Sequence, residues 1–172
     1  VKGHSGHPGL SVEVARIAQE ALVSAGAAEG MLTPVQGREE GVELIKDPLI
    51  KAVGFTGSLE AGRFLAGIAE SRPTPIPFYG ELGSLNPVIV TDAAVAERKD
   101  ELISGLAASF TAGVGQFCTK PGLIFVSDAS GFADDLAAAV ADTPSGEMLT
   151  LGMASAFERS QSELLATPGV AV

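Results

Sequence analysis

Ile50-Lys51-Ala52-Val53-Gly54-Phe55-Thr56-Gly57-Ser58-Leu59 is the stretch from which the rest of the chain can be read. Its first seven residues are apolar and β-branched at the centre, which predicts a strand over 50–56. Gly57 and Ser58 interrupt it, and Leu59, Gly62, Phe64, Leu65 and Ile68 follow at helical spacing. Strand, glycine turn and helix together make the unit that presents backbone N–H groups to an anion.

The same alternation extends in both directions. Upstream, apolar residues at 10, 14, 17, 18, 21 and 22 predict a helix of about four turns, capped by Gly26. Met31 to Gln36 reads as a short strand ending at Gly37, and Val42, Leu44 and Ile45 as a short helix stopped before Pro48. Val1-Lys2-Gly3 reads as the end of a further strand. Downstream, the bend Pro73-Thr74-Pro75-Ile76-Pro77 leads into Phe78-Tyr79-Gly80-Glu81-Leu82-Gly83. Val88-Ile89-Val90 is strand-like, a long helical stretch runs to about Gly113, and Gly122 to Val126 is again a strand. Phe132 to Val140 and Ala154 to Ala166 predict two more helices, with a loop over 143–150. Strands alternating with helices imply an α/β fold, a Rossmann-like parallel sheet with flanking helices. The turn residues of Gly83 to Pro87 mark the domain boundary, giving domains at 1–84 and 85–172.

Composition narrows the function. In 172 residues, 46% are hydrophobic and none is tryptophan, which suits an aliphatic core. Acidic residues outnumber basic ones 21 to 11, and a formal charge of −10 argues against a nucleic-acid surface. No apolar run reaches the roughly 18 residues of a membrane span. One cysteine rules out a disulfide within this chain and fits a reducing compartment. Val1-Lys2-Gly3-His4 lacks the pattern of a secretory leader. The expectation is a cytoplasmic enzyme or part of one.

That cysteine, Cys118, lies in Gly113-Val114-Gly115-Gln116-Phe117-Cys118-Thr119-Lys120-Pro121-Gly122. A free cysteine is ordinarily a small buried hydrophobe. Here a helical pattern (Leu102, Ile103, Leu106, Ala107, Phe110, Val114) runs into glycines and stops at Pro121, so the thiol falls beside a turn where a nucleophile can be held and reached. Glu81, between glycines in Gly80-Glu81-Leu82-Gly83, is by default a solvated loop carboxylate. Its glycine flanks also allow close approach to a ligand, and with Cys118 it offers a general base beside a nucleophile. Gly54, Gly57 and Gly62 resemble a phosphate turn without matching the G-x-G-x-x-G pattern. His4 and His7, near Lys2 but without a neighbouring cysteine or carboxylate, do not make a metal site.

Phe55-Thr56-Gly57-Ser58 with Gly62, then Glu81-Leu82-Gly83, then Gly115-Gln116-Phe117-Cys118 resemble the aldehyde dehydrogenase superfamily in order and separation. Pro77-Phe78-Tyr79-Gly80-Glu81-Leu82-Gly83-Ser84-Leu85-Asn86-Pro87 and the residues after Cys118 resemble the NADP-preferring fatty-aldehyde and 2-oxoglutarate-semialdehyde dehydrogenases. The likeness runs from Lys2 to about Thr150. It implies an incomplete aldehyde dehydrogenase-like fold, the C-terminal half of a cofactor domain followed by the N-terminal part of a cysteine-bearing catalytic domain. It also implies oxidation of an aldehyde to a carboxylic acid, with Cys118 forming a thiohemiacetal and then a thioester, and Glu81 activating the hydrolytic water. Ser58 and the Gly57 turn would meet the cofactor pyrophosphate, Leu82 and Gly83 would border the cofactor, and Lys2 would reach the adenosine ribose.

Many NAD-using relatives carry a glutamate three residues after that lysine, where this chain has Ser5. A carboxylate there would repel a 2′-phosphate and a hydroxyl could donate to it, so the expected cofactor is NADP, with NAD the alternative. Arg38 is a second candidate phosphate partner. The resemblance further implies a small-molecule aldehyde as substrate and a homo-oligomeric parent, while charge, apolar run length and the surroundings of His4 and His7 give no expectation of a nucleic-acid, membrane or metal partner. Full-length relatives carry an upstream Pro-Trp-Asn segment and a downstream Glu-x-Phe-Gly-Pro segment that these residues lack. The isolated chain is therefore expected to be inactive, and the alternative reading is an α/β fragment or partial nucleotide-binding module. A cysteine hydrolase would need a base near Cys118, and both histidines lie far from it in sequence.

Overall fold

The glycine turn at 57–58 does join a strand to a helix in the computed structural model, which describes residues 1–127, 130–141 and 143–170. The chain divides into two compact units, Val1–Leu82 and Gly83–Val172. Each is built on a parallel strand pair closed by a helical crossover.

In the first unit, α1 (Pro8–Ser24) and α2 (Arg38–Lys46) precede β1 (Val53–Thr56), α3 (Leu59–Glu70) and β2 (Phe78–Glu81). Proline at the start of α1 suits a position that has no helical N–H partner. The helix ends where Gly26 turns left-handed at φ 89°; its N–H donates to Val23 (2.9 Å) and that of Ala27 to Leu22 (2.9 Å). On its exposed face Arg16 pairs with Glu13 and Glu20. The guanidinium holds the Glu13 carboxyl below its ordinary value, so this support is present at neutral pH and is lost as pH falls through the lowered value. Strands β1 and β2 pair in parallel from Val53 opposite Phe78 to Thr56 opposite Glu81. The rings of Phe55 and Phe78 lie 6.3 Å apart between centroids. Helix α3 seats on this pair through Gly62, where a Cβ would run into the Leu82 side chain, and through the fully buried Ala69.

Several predicted strands are shorter than the sequence suggests, among them Gly122 to Val126, which narrows to Leu123–Phe125. Met31 to Gln36 forms only an isolated parallel bridge, Lys2 with Val35, because Pro34 has no N–H to extend a ladder. The strand expected from Ile50 begins at Val53. Asp47 turns the chain by accepting from the Leu49 N–H (2.7 Å), and the Arg72 guanidinium takes the carbonyls of Ile50 (3.0 Å) and Asp47 (2.9 Å). Those residues are thereby withdrawn from the sheet.

The second unit runs β3 (Pro87–Ile89), α4 (Asp92–Thr111), a 3-10 turn (Ala112–Gly115), β4 (Leu123–Phe125), α5 (Phe132–Ala141) and α6 (Leu151–Leu165). Strands β3 and β4 are parallel, Pro87 opposite Leu123 and Ile89 opposite Phe125. Thr91 and Thr150 cap α4 and α6 by accepting from Ala94 (3.3 Å) and Met153 (3.2 Å). Val90, Ile103 and Phe132 form the core, with Val88, Leu106, Ile124 and Leu136 packed around them. Lys99 fastens α4 to α5 by an ion pair with Asp135 and a 3.0 Å bond to the Ser130 carbonyl.

Phe132 is 1% exposed at the centre of this core. Phe132→Ala is expected to lower the unfolding free energy by about 3–5 kcal/mol in denaturant titrations. A loss below about 1 kcal/mol would contradict its place there.

Candidate functional site

The first unit holds a groove of about 1090 Å³ whose walls include Lys2, Ser5, Arg38, Gly57 and Ser58. Lys2 reaches it because the chain start pairs beside Val35: Gly3 N–H donates to the Val35 carbonyl and Val35 N–H to the Val1 carbonyl, both at 2.8 Å. The lysine stem crosses α2 at Gly41, where a Cβ would lie 2.9 Å from Lys2 Cδ. Its ammonium donates to the Gly3 carbonyl (2.7 Å) and lies 3.4 Å from Ser5 Oγ. Arg38 opens α2 after Gly37, whose φ of 96° suits glycine.

The α3 end of the groove is formed by the glycine turn. Gly57 N–H donates to the Glu81 carbonyl (3.0 Å), carrying the β1–β2 pairing one residue further. Ser58 caps α3, its Oγ accepting from the Ala61 N–H at 3.2 Å. A helix start of this kind favours an anion through its unpaired amides and dipole. Glu39, Glu43 and Glu60 also line the groove, which confines any favourable anion position to the stretches held by Lys2, Arg38 and the α3 amides.

Leu82 and Gly83 do not line this groove. The Leu82 side chain packs on Gly62, and Gly83 opens the second unit. Glu81 ends β2 with an exposed side chain. His4, which in sequence reads as part of a simple loop, lines the groove; its Nδ1 accepts from the Gly6 N–H (3.1 Å). Among the described residues no group of three or more His, Cys, Asp or Glu is placed to hold a metal ion. No described helix is long and apolar enough to cross a membrane.

In the second unit Cys118 is exposed. Three residues with left-handed φ bring the chain from α4 toward it, Gly113 (59°), Val114 (60°) and Gly115 (69°). The Lys120 N–H donates to the Phe117 carbonyl at 3.2 Å and closes a turn around the thiol. Sequence spacing held no sign that Ser84 and Asn86 reach this turn, yet both donate to the Cys118 carbonyl, at 2.6 and 2.8 Å. The one available signal was asparagine before Pro87, a residue type tolerant of left-handed backbone.

The sequence pattern of the aldehyde dehydrogenase family matches residues 1–160. Alpha-ketoglutaric semialdehyde dehydrogenase 2 of Azospirillum brasilense is 42% identical over 99% of this chain and 33% of its own length. The alpha-ketoglutaric semialdehyde dehydrogenase of Acinetobacter baylyi is 39% identical over 98% of this chain and 32% of its own. The chain thus spans about a third of the length of these relatives. Among solved structures, a putative aldehyde dehydrogenase from Burkholderia cenocepacia superposes with a TM-score of 0.78 at 25% identity, over 96% of this chain and 36% of that one. Glyceraldehyde-3-phosphate dehydrogenase GapN of Methanocaldococcus jannaschii, complexed with NADP, gives 0.78 at 21% identity over 95% of this chain and 38% of that one, and so shares the fold.

Cys118 is the sole cysteine and is exposed, so iodoacetamide under native conditions is expected to add one adduct per chain, read by intact mass. Labelling only after unfolding would show that the thiol is covered.

Proposed function

The chain belongs to the aldehyde dehydrogenase family, and from that premise we propose that its residues 1–84 and 85–172 are the cofactor-side and cysteine-side parts of an enzyme that oxidises an aldehyde to a carboxylic acid. The observation that carries this reading is the exposed thiol of Cys118, held in a turn beyond α4 and its 3-10 turn rather than buried in a core. The thiolate adds to the aldehyde carbon and leaves a tetrahedral thiohemiacetal, whose collapse gives a thioester on Cys118. Glu81 then takes a proton from water, the water adds to the thioester carbonyl, and the carboxylate departs as the thiol is restored.

A nicotinamide dinucleotide, when bound, supplies the acceptor for the two electrons and hydrogen lost from the aldehyde carbon. The groove of the first unit fits such a group. It offers a cation and a hydroxyl side by side at Lys2 and Ser5, a guanidinium at Arg38, and the amide end of α3 behind its cap, Ser58. Lys2 and Ser5 would hold the adenosine end, with Arg38 a second phosphate partner, and the α3 start the pyrophosphate. Leu82 acts on this groove indirectly, by seating α3 through Gly62, while Gly83 is proposed as a cofactor contact on the family likeness alone. A hydroxyl rather than a carboxylate at Ser5 supports NADP over NAD.

The names of the two relatives support a semialdehyde as the substrate class. The parent is proposed to be a cytoplasmic homo-oligomer, on the single thiol and the family likeness. For the 172 residues taken alone, a partial nucleotide-binding module without turnover is the second reading, favoured by their spanning about a third of the relatives.

In the full-length protein that carries these residues, Cys118→Ala is expected to lower kcat by at least about 1000-fold. Glu81→Gln is expected to retain a burst of reduced cofactor while steady turnover falls by roughly 100-fold or more. Undiminished turnover of Cys118→Ala would remove the proposed nucleophile. Ser5→Glu is expected to weaken NADP binding about tenfold or more through like-charge repulsion and to leave NAD binding less affected, by titration of both cofactors. An unchanged preference would take Ser5 out of the selection.

A further inference from the structure

Ser84-Leu85-Asn86-Pro87 reads in sequence as a linker, and in the structure it grips the turn that carries the thiol. Asn86 has φ 43°, uncommon for any residue but glycine, and it is one of two such residues among those described. Its side-chain amide lies 2.8 Å from the Cys118 carbonyl, 2.9 Å from the Lys120 carbonyl and 3.2 Å from Ser84 Oγ. An amide NH2 has two hydrogens, which the two carbonyls accept. The Ser84 hydroxyl donates to the same Cys118 carbonyl at 2.6 Å, so both lone pairs of that oxygen are engaged. On the other side of the turn the Gly122 N–H donates to the Leu85 carbonyl at 2.8 Å, and a Cβ on Gly122 would lie 2.7 Å from that oxygen.

We propose that Ser84 and Asn86 are positioning residues, a latch that fixes the peptide after Cys118 and with it the place of the sulfur. The need for one arises from the local backbone. Residues 117–121 lie in neither helix nor strand, and the left-handed run at 113–115 ends the support that α4 could transmit. Three side-chain bonds to two carbonyls supply what a ladder would otherwise provide. The inference rests on the reading of Cys118 as nucleophile, because displacement of a reacting atom by about 1 Å can cost on the order of 100-fold in rate.

The latch is tested in the full-length protein with Asn86→Asp and Asn86→Gly, both of which accept the left-handed backbone and lack the amide donor. Each is expected to lower kcat roughly tenfold or more with the KM for cofactor nearly unchanged, and to speed amide hydrogen exchange across Phe117–Gly122. Ser84→Ala, which leaves the Asn86 backbone untouched, serves where the first two fail to fold, and is expected to lower kcat about threefold. A purely conformational role for Asn86 predicts wild-type kcat and exchange in both Asn86 variants, and that result overturns the latch. Faster exchange with unaltered kcat overturns its role in positioning the sulfur. The Cys118→Ala assay separates the two failures: if it abolishes turnover, the nucleophile reading stands when the latch falls.

Discussion

Parallel strands cannot be joined by a tight hairpin, and that topological constraint shapes both units. Between β1 and β2 the crossover is α3, and between β3 and β4 it is α4 with its 3-10 turn. A crossover helix must lie on the face of the pair it connects, and the contact that permits this in the first unit is Gly62 against Leu82. Because both strands of a pair then run the same way, the segments leaving their C-terminal ends emerge at one edge. Gly57 and Ser58 leave β1 at the edge where Glu81 ends β2, and the bond from the Gly57 N–H to the Glu81 carbonyl marks their closeness. The groove is a product of this geometry before it is a product of any particular side chain.

Electrostatics act on that geometry locally. A chain with formal charge −10 has no general attraction for a phosphorylated ligand. The groove itself mixes Lys2 and Arg38 with Glu39, Glu43 and Glu60. An anion is therefore favoured only at particular points, near the Lys2 ammonium, near the Arg38 guanidinium and at the amide end of α3. Such a surface discriminates by position rather than by overall charge.

Much of this was legible in the residues, and the division between what was and was not is physical. Helices announced themselves through spacing and punctuation: Gly26 stands where α1 ends, Ser58 where α3 begins, and Pro48 just beyond α2. These signals act within a few residues. Strand extent depends on a partner elsewhere, so Met31 to Gln36 reads as a strand but finds a single bridge at Lys2, and Ile50 is taken by Arg72, 22 residues away. The proposed nucleophile was visible because its turn is written in adjacent glycines and a proline. Its restraints were not, since Ser84 and Asn86 reach it from 34 and 32 residues away. Nothing in a serine or an asparagine discloses so distant a partner.

Those separations set the lengths of chain that each unit must close. The first unit closes its strand pair across the residues between Thr56 and Phe78, α3 included, a loop whose closure entropy grows only slowly with its length. In the second, the bond from Ser84 to the Cys118 carbonyl closes a separation of 34 residues that contains all of α4. A restraint reached across so long a stretch is lost whenever α4 comes away from its strand pair, so the place of the sulfur depends on the docking of that helix as well as on its own turn.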